Sequence, residues 1–250
     1  MVIIALAGVG AGAINTIVGS GTLITFPTLL AVGVPPVLAN VSNNIGLVPG
    51  SASGAYGYRR ELRGQRRRVL VLGAASLAGG TVGAVLLLVL PPSAFDAVVP
   101  VLILLGVALV LVQPRISAAV ARRRERRGDV RRDVARWVWP FVALAGVYGG
   151  YFGAAQGVIL MGLLGIGVAD DLQRLNGLKN VLAMLVNGVA AVIFIAVADV
   201  DWLVVALVAV GATIGGQLGA TIGRRLPSWA LRGVIAVVGI AAVVFFVLGG

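Results

Sequence analysis

The first 58 residues of the chain contain no charged side chain. One membrane crossing needs about 20 apolar residues, so this stretch predicts at least two crossings with an irregular segment between them. Further uncharged stretches lie at 69–90, 97–114, 137–169, 180–198, 202–223 and 233–250. None of them alternates polar with apolar residues, as a lipid-facing barrel strand would, so helices are the expected spanning form. The pattern predicts an all-α polytopic membrane protein.

The chain also repeats part of its own sequence. Pairs that match at an offset of 136 residues include Asn40 with Asn176, Asn44 with Asn180, and 79–84 with 215–220; at an offset of 134, Gly19 matches Gly153. These matches predict two homologous transmembrane repeats, at 1–113 and 137–250, joined by a basic loop at 114–136. Repeated bundles of this kind are typical of transporters.

Glycine and proline interrupt the first apolar stretch of each half. As one helix, the stretch 137–169 would be about 50 Å long, which is long for one crossing and short for two. Its interior glycines are Gly149, Gly150, Gly153 and Gly157, and the first half has Gly8, Gly10, Gly12, Gly19, Gly21 and Pro27. Residues of these types at this density predict a Gly/Pro-broken short helix or a re-entrant hairpin in each half.

The orientation of the second half in the membrane, relative to the first half, depends on whether this broken element crosses the membrane. If the element crosses as two short helices, each half has five crossings and the halves are inverted. If it re-enters, each half has four crossings and the halves are parallel. The inverted arrangement puts every basic loop on one side, including 59–68 and Arg224–Arg225. The positive-inside rule favours that arrangement. We expect inverted repeats with eight long spans and two short ones, in the cell membrane, with the basic loops cytoplasmic.

Composition adds several exclusions. Hydrophobic residues make up 59% of the chain and charged residues 12%, a balance outside that of soluble domains. The absence of cysteine and histidine excludes disulfides, thiolate nucleophiles, haem ligation and the commonest transition-metal sites. It also removes the usual catalytic base. We therefore expect no enzyme activity, no catalytic residue, no metal site and no cofactor.

Two arginine clusters dominate the charge. Of the 20 basic residues, six lie in 59–68 and nine in 115–136, and the formal net charge is +11. A nucleic-acid site is one interpretation of such clusters. We prefer the cytoplasmic excess of basic residues that orients membrane proteins, because both clusters adjoin apolar spans. Tyr56 and Tyr58, at a span end, are expected to be interfacial anchors.

Polar residues inside spans are costly and mark function by default. The candidate substrate-binding residues are Asn15, Gly19, Ser20, Gly21, Asn40, Ser42, Asn43, Asn44, Gln156, Asn176, Lys179 and Asn180. Asn40, Asn43 and Asn44 share one helical face, and the second half repeats that spacing. Two related polar faces, one in each half, are suited to a single site between the repeats. Hydrogen bonding between helices is the alternative explanation for these asparagines.

Lys179 is the only lysine in the chain. It lies near the start of a predicted span at 175–197, where it either contacts substrate or extends to the membrane interface. Amide donors at helix N-termini, together with one ammonium, are typical of an anion site. No carboxylate lies in the centre of a span, so a carboxylate relay for a coupling ion is not supported. Asp170 and Asp171 are expected to cap the helix that follows them.

The first half resembles a known family. The motifs are 12–21 (GAINTIVGSG), 27–30 (PTLL), 33–36 (GVPP) and 39–44 (ANVSNN), with a weaker second copy at 146–180. In order and spacing they are similar to the TauE/SafE family, the sulfite exporters or 4-toluene sulfonate uptake permease group. The resemblance covers nearly the whole chain. It implies a transporter of sulfite, sulfonates or related sulfur-containing organic anions.

The resulting hypothesis is a secondary transporter that moves a small anion by alternating access. An anion channel and a non-transporting membrane scaffold are the alternatives. An intramembrane enzyme acting on lipid phosphates is disfavoured because no base or metal site is available. The expected partners are a small anionic substrate and the lipid bilayer, with no nucleic acid. A homo-oligomer is compatible with the sequence.

Overall fold

The structure, a computed structural model, describes residues 1–127 and 134–221, together with residues 233, 235–238, 240 and 244. Arg224, Arg225 and most of the predicted span 233–250 lie outside the described residues. Within them every regular element is a helix, which confirms the all-α class. The helices are α1 Val2–Ile17, α2 Thr22–Ala31, α3 Pro36–Gly57, α4 Arg66–Val89, α5 Pro92–Arg127, α6 Val138–Tyr151, α7 Gln156–Gly167, α8 Leu172–Val197 and α9 Trp202–Thr221.

Four of the described helices are long and apolar enough to cross a membrane, namely α4, α5 over Pro92–Arg115, α8 and α9. At 22 residues α3 also has the length of a crossing, but its asparagines, serines and glycines make it less apolar. The sequence predicts that α5 ends near Pro114. The helix instead continues to Arg127 with Pro114 inside it.

Two pairs of short helices form hairpins. In hairpin 1, α2 folds back on α1, and Gly21 lies against the Ala11 carbonyl. In hairpin 2, α7 folds back on α6, and the Ala135 N–H donates to the Gly167 carbonyl oxygen at 3.1 Å. The four arms have 16, 10, 14 and 12 residues, or about 15–24 Å of helix. Each arm is shorter than the hydrocarbon core of about 30 Å.

A glycine in the left-handed conformation ends the first helix of each hairpin. Gly19 has φ +90° and Gly153 has φ +78°, values that are costly for other residues. The Gly19 N–H donates to the Ile14 carbonyl, and the Gly153 N–H donates to the Tyr148 carbonyl, each at 3.0 Å. These bonds satisfy carbonyls that a helix end leaves free. The break expected in both halves is therefore present, with equivalent chemistry.

The first arm of each hairpin packs closely on a long helix. Gly8 lies against Val208 and Gly12 against Ala212, so α1 runs parallel to α9. Glycines permit this backbone-to-backbone approach, as small residues do in membrane helix pairs.

The second hairpin makes the corresponding contact with α4. Gly146 lies against Ser76 and Gly150 against Gly80, so α6 runs parallel to α4. The contacts between α3 and α9 are Gly46 with Val208, Gly50 with Ala212 and Gly57 with Ala220. Because these residue numbers also rise together, α1, α3 and α9 share one direction.

An ion-pair cluster joins the two halves at one end of the bundle. Asp170 accepts a hydrogen bond from the Arg68 guanidinium and one from Arg174 Nε at 2.7 Å. The Gln65 amide donates to the Arg174 carbonyl at 3.1 Å. We call this end, with the connection 58–65 and the start of α8, the basic side. Asp171 accepts from the Gln173 N–H at 2.8 Å, which confirms its predicted capping role.

Replacing Asp170 with asparagine should destabilise the protein at neutral pH and not in acid. Burial raises the pKa of Asp170, but the Asp171 N–H and the Arg68 and Arg174 guanidinium groups lower it further, and the net pKa lies below its ordinary value. A lowered pKa stabilises the fold above the unfolded-state value of about 3.9 and ceases to do so as the pH falls through the folded-state value. Each exposed pair contributes about 0.5–1 kcal/mol.

Thermal unfolding of detergent-purified wild type and Asp170→Asn measures the difference in stability between the two proteins at each pH. At pH 7 we expect a loss of about 2–4 °C for each kcal/mol. The gap should narrow below the unfolded-state pKa and close once the pH lies below the lowered folded-state pKa, since both chains then carry a neutral side chain at position 170. A gap of constant size across this range would contradict an ionic role for Asp170.

Candidate functional site

The two hairpins meet at their ends. The ends are residues 18–21 of hairpin 1 and 152–155 of hairpin 2, which we call the tips. The Gly157 N–H donates to the Gly19 carbonyl oxygen at 3.0 Å, and a side chain on either glycine would overlap the other's backbone. The ring of Phe152 also packs edge-on against Phe26 of α2, with centroids 5.1 Å apart. The tips therefore form a direct contact between the two halves.

Lys179 extends from α8 to the end of hairpin 1. Its ammonium donates to the Asn15 carbonyl at 3.2 Å and to the Thr16 carbonyl at 3.1 Å. These carbonyls belong to the last turn of α1, whose helix dipole favours a cation. The side chain is fully buried, and its stem passes Gly157. Among the described residues no carboxylate lies within ion-pair distance of this ammonium.

The two asparagines on the same face of α8 converge on the same helix end. Asn180 Nδ2 donates to the Thr16 carbonyl at 3.3 Å, and Asn176 Nδ2 donates to it at 3.4 Å. Asn176 Nδ2 also donates to the Tyr58 hydroxyl at 2.8 Å. Tyr58 is buried, so its prediction as an interfacial anchor is wrong. Its ring lies at the end of α3, where the start of α8 covers it.

The polar face of α3 approaches the other hairpin in a similar way. Asn40 Nδ2 donates to the Tyr151 carbonyl at 2.9 Å, at the last residue of α6. Asn43 Nδ2 donates to the Thr22 hydroxyl at 3.4 Å, at the first residue of α2. Each polar face thus touches the end of the hairpin that belongs to the other half, and α3 also contacts its own.

Five candidate residues hold a buried polar atom that has no hydrogen-bond partner among the described residues. The atoms are Ser20 Oγ, Asn43 Oδ1, Asn44 Oδ1, Gln156 Nε2 and Asn176 Oδ1, and the residues are between 0% and 8% exposed. Buried polar atoms in proteins are nearly always paired, and leaving one unpaired costs about 1–3 kcal/mol. Unpaired atoms at a tip and on the helix faces that contact the hairpin ends are characteristic of a site that takes a polar ligand.

Other candidate side chains point away from the tips. Ser42 Oγ accepts from the Asp201 N–H at 3.0 Å, at the start of α9. The Asn15 amide donates to Ser51 Oγ at 3.2 Å, and so does Asn187 at 3.3 Å. Gly21 is itself part of a tip, and its backbone packs against α1. In Asn15 it is the backbone carbonyl, and not the side chain, that reaches Lys179.

The sequence interpretation left out three groups that the structure brings to the site. They are the Thr16 carbonyl, the Thr22 hydroxyl and the Tyr58 hydroxyl. A backbone carbonyl has no signature in the sequence. Thr22 is recognisable as a polar residue within a span but is not among the candidate substrate-binding residues, and Tyr58 directly follows the polar helix α3.

The chemistry available at the tips is that of binding. The donors are the Lys179 ammonium, the Ser20 hydroxyl and the Gln156 amide, and the acceptors are asparagine oxygens. Within residues 1–127 and 134–221 no group of three or more His, Cys, Asp or Glu side chains could hold a metal ion. A buried ammonium beside unpaired donors is suited to an anion.

Comparison with known proteins was made on the whole chain. Residues 4–246 match the family model described as sulfite exporter TauE/SafE. A "Probable membrane transporter protein ORF9" of Sinorhizobium sp. is 30% identical over 245 residues, which cover 92% of this chain and 86% of the relative. The "Probable membrane transporter protein YfcA" of Escherichia coli strain K12 is 26% identical over 222 residues, 84% of this chain and 76% of the relative. No solved structure matches the chain.

Proposed function

Because the chain belongs to the sulfite exporter TauE/SafE family of membrane transporter proteins, we propose that it is a secondary transporter that moves a small anion by alternating access. Sulfite, a sulfonate or a related sulfur-containing organic anion is the proposed substrate. The observation that carries this proposal is Lys179, a fully buried cation without a carboxylate partner among the described residues. Polar groups that lack a hydrogen-bond partner lie on the elements that surround it.

The energetics of Lys179 favour an anion as its ligand. An ammonium has three donors, and two of them reach the Asn15 and Thr16 carbonyls. Carbonyl dipoles offset part of the cost of burying a full charge, whereas an anion offsets more. An anion held here would accept from the third N–H, with Gln156 and Ser20 as further donors.

Alternating access is easiest to explain when the two halves are structurally equivalent. The helix contacts support such an equivalence. Gly12 lies against Ala212 in one contact, and Gly146 lies against Ser76 in the other. Gly146 follows Gly12 by 134 residues, and Ala212 follows Ser76 by 136. The two contacts are therefore equivalent under the repeat. We propose inverted halves, each with three long crossings and a re-entrant hairpin. A hairpin that enters and leaves on the same side of the membrane adds no crossing, so each half has three crossings and not the four expected from the sequence for a re-entrant element.

This topology also fits the charges. An odd number of crossings in each half brings 59–68, the end of α5 and Asp170 to one side of the membrane, and Asp201 to the other. We propose that the basic side faces the cytoplasm of a cell membrane.

Transport in proteoliposomes tests the proposal. We expect purified protein to carry labelled sulfite or a small sulfonate into vesicles at a rate that saturates with concentration. A flux that rises without saturation would favour the anion channel. Absence of flux for every anion in a panel, with folded and correctly inserted protein, would contradict transport and favour the scaffold.

A matched pair of variants makes this test specific. Ser20→Ala removes a buried hydroxyl donor that lacks a partner, and should slow transport. Ser42→Ala makes the same change at a serine whose hydroxyl faces α9 instead, and should leave the dependence on substrate concentration unchanged. Equal effects of the two changes would argue against a ligand at the tips.

A further inference from the structure

In the first repeat, the position equivalent to Lys179 is occupied by an asparagine. Lys179 follows Asn43 by 136 residues, the offset that also pairs Asn40 with Asn176 and Asn44 with Asn180. The Lys179 ammonium occupies the space beside the last carbonyls of α1. In the equivalent position the first half has a neutral and shorter side chain. A basic side chain thus lies at one helix end, whereas position 43, its counterpart in the repeat, is neutral.

The surroundings of Asn43 otherwise repeat those of Lys179. Asn176 donates to a carbonyl in the last turn of α1, and Asn40 donates to the Tyr151 carbonyl in the last turn of α6. The end of α6 therefore faces the polar side of α3 as the end of α1 faces that of α8. Helix C-termini carry partial negative charge from their free carbonyls.

The polar side of α3 carries two oxygen atoms that lack hydrogen-bond partners. Asn43 Oδ1 and Asn44 Oδ1 are buried and have no hydrogen-bond donor among the described residues. Asn43 is 1% exposed and Asn44 is 7% exposed. Both asparagines follow Asn40 by one helical turn, and the Asn40 amide reaches the Tyr151 carbonyl at the end of α6. Unsatisfied acceptors near a helix C-terminus are a poor site for another anion. They are the surroundings that a small cation requires.

We propose that a sodium ion binds at the position equivalent to the Lys179 ammonium, held by Asn43 Oδ1, Asn44 Oδ1 and the carbonyl end of α6. The inference rests on the inverted repeat of the proposed function. Carbonyls of broken helices and half-helix C-terminal ends coordinate sodium in other transporters. Neutral oxygen ligands suffice for such a site. The proposed sodium site therefore differs from the expectation of no metal site, because that expectation was based on carboxylate, thiolate and imidazole ligands.

The proposed ion adds a second cation to the protonated Lys179 ammonium. Together they would offset a doubly charged anion such as sulfite. Binding of the ion would also satisfy acceptors that otherwise remain unpaired in a low-dielectric interior, where that cost is greatest. Substrate affinity should consequently depend on sodium, and coupling of this kind is reciprocal.

Sodium binding in the absence of any transported anion is the test. Detergent-purified protein is heated in sodium chloride, potassium chloride or choline chloride at equal concentration, and binding of radioactive ²²Na⁺ is measured in parallel. We expect the unfolding temperature to rise with sodium and to saturate, because a ligand stabilises the state that binds it. We expect saturable ²²Na⁺ binding that choline does not displace. Equal unfolding temperatures in all three salts and no ²²Na⁺ binding would overturn the proposal.

Substitutions locate the ion. Asn43→Ala and Asn44→Ala should each weaken ²²Na⁺ binding at least tenfold, whereas Asn43→Asp, which is isosteric and adds charge, should strengthen it. Ser42→Ala is the control and should bind as wild type does. If binding survives both alanine changes undiminished, the ion is elsewhere and the proposed site is wrong. Since neither sulfite nor a sulfonate is present, an absence of sulfite flux in the vesicle experiment would leave this result unaffected.

Discussion

Gly157→Ala should abolish transport and lower the stability of the protein, which is the largest effect that we expect from a single methyl group. The added methyl would overlap Gly19, whose carbonyl accepts from the Gly157 N–H at 3.0 Å. Extra methyl groups in a packed core cost about 1–3 kcal/mol when side chains can yield. Here the obstacle is backbone held in a left-handed conformation at φ +90°, so the cost should reach or exceed that range.

Gly188→Ala is the matched control. Gly188 also lies within a helix of the second half, and a methyl group there would meet no atom within 4 Å. Alanine is favoured over glycine in a helix by about 1 kcal/mol, so this variant should be as stable as wild type or more so. Thermal unfolding in detergent and vesicle flux compare the two. Normal transport by Gly157→Ala would show that the tips are not in close contact in the working protein.

Removing the charge of Lys179 should weaken anion binding more than any change at the basic side. Lys179→Ala deletes the ammonium and its stem, and Lys179→Met retains most of the stem's volume. A hydrogen bond to a charged group contributes about 1.5–3 kcal/mol, so both variants should lose affinity by about tenfold or more.

Arg174→Ala supplies the comparison, because it removes a cation of the same half that is bound to Asp170. It should affect stability and leave anion affinity within about twofold, since its charge is paired and partly exposed. Binding is measured by thermal shift against sulfite for all three variants. A greater loss of affinity in Arg174→Ala than in the Lys179 variants would exclude Lys179 as the anion-binding residue.

Much of the fold could be predicted because a membrane interior enforces simple rules. The uncharged stretches predicted α4 and α9 to within a few residues, since backbone groups in lipid must bond within a helix. The glycine-rich stretches correctly predicted a break in each half. Whether those elements cross or turn back was not predictable. That depends on contacts such as Gly21 with Ala11 and Ala135 with Gly167, which only the folded chain forms.

The length of α5 was misjudged for a different reason. Proline usually ends or bends a helix because it lacks an N–H donor, so Pro114 and the arginines after it indicated a boundary. The helix continues through Pro114 to Arg127. A proline inside a helix is tolerated in membrane proteins, where neighbouring groups satisfy the carbonyl that it leaves free.

The candidate site was predictable as a set of residues and not as a geometry. Lys179 and the asparagines of two related faces were identified because polar groups are costly in a span. Their partners are largely backbone carbonyls at helix ends, such as that of Thr16, and these are invisible in a sequence. Ser42 shares a helix with Asn43, yet its hydroxyl faces α9. The spacing of polar residues along a helix therefore does not predict which group each side chain contacts.

The central claim is that an anion binds where the hairpins meet, beside the Lys179 ammonium. Selenite resembles sulfite in shape and charge, and its selenium scatters X-rays anomalously. Crystals of the protein soaked in selenite should give an anomalous difference peak within hydrogen-bond distance of Lys179 Nζ, and crystals of Lys179→Met should lack it. Selenium peaks found only at the exposed arginines of the basic side, with none near the tips, would contradict the claim.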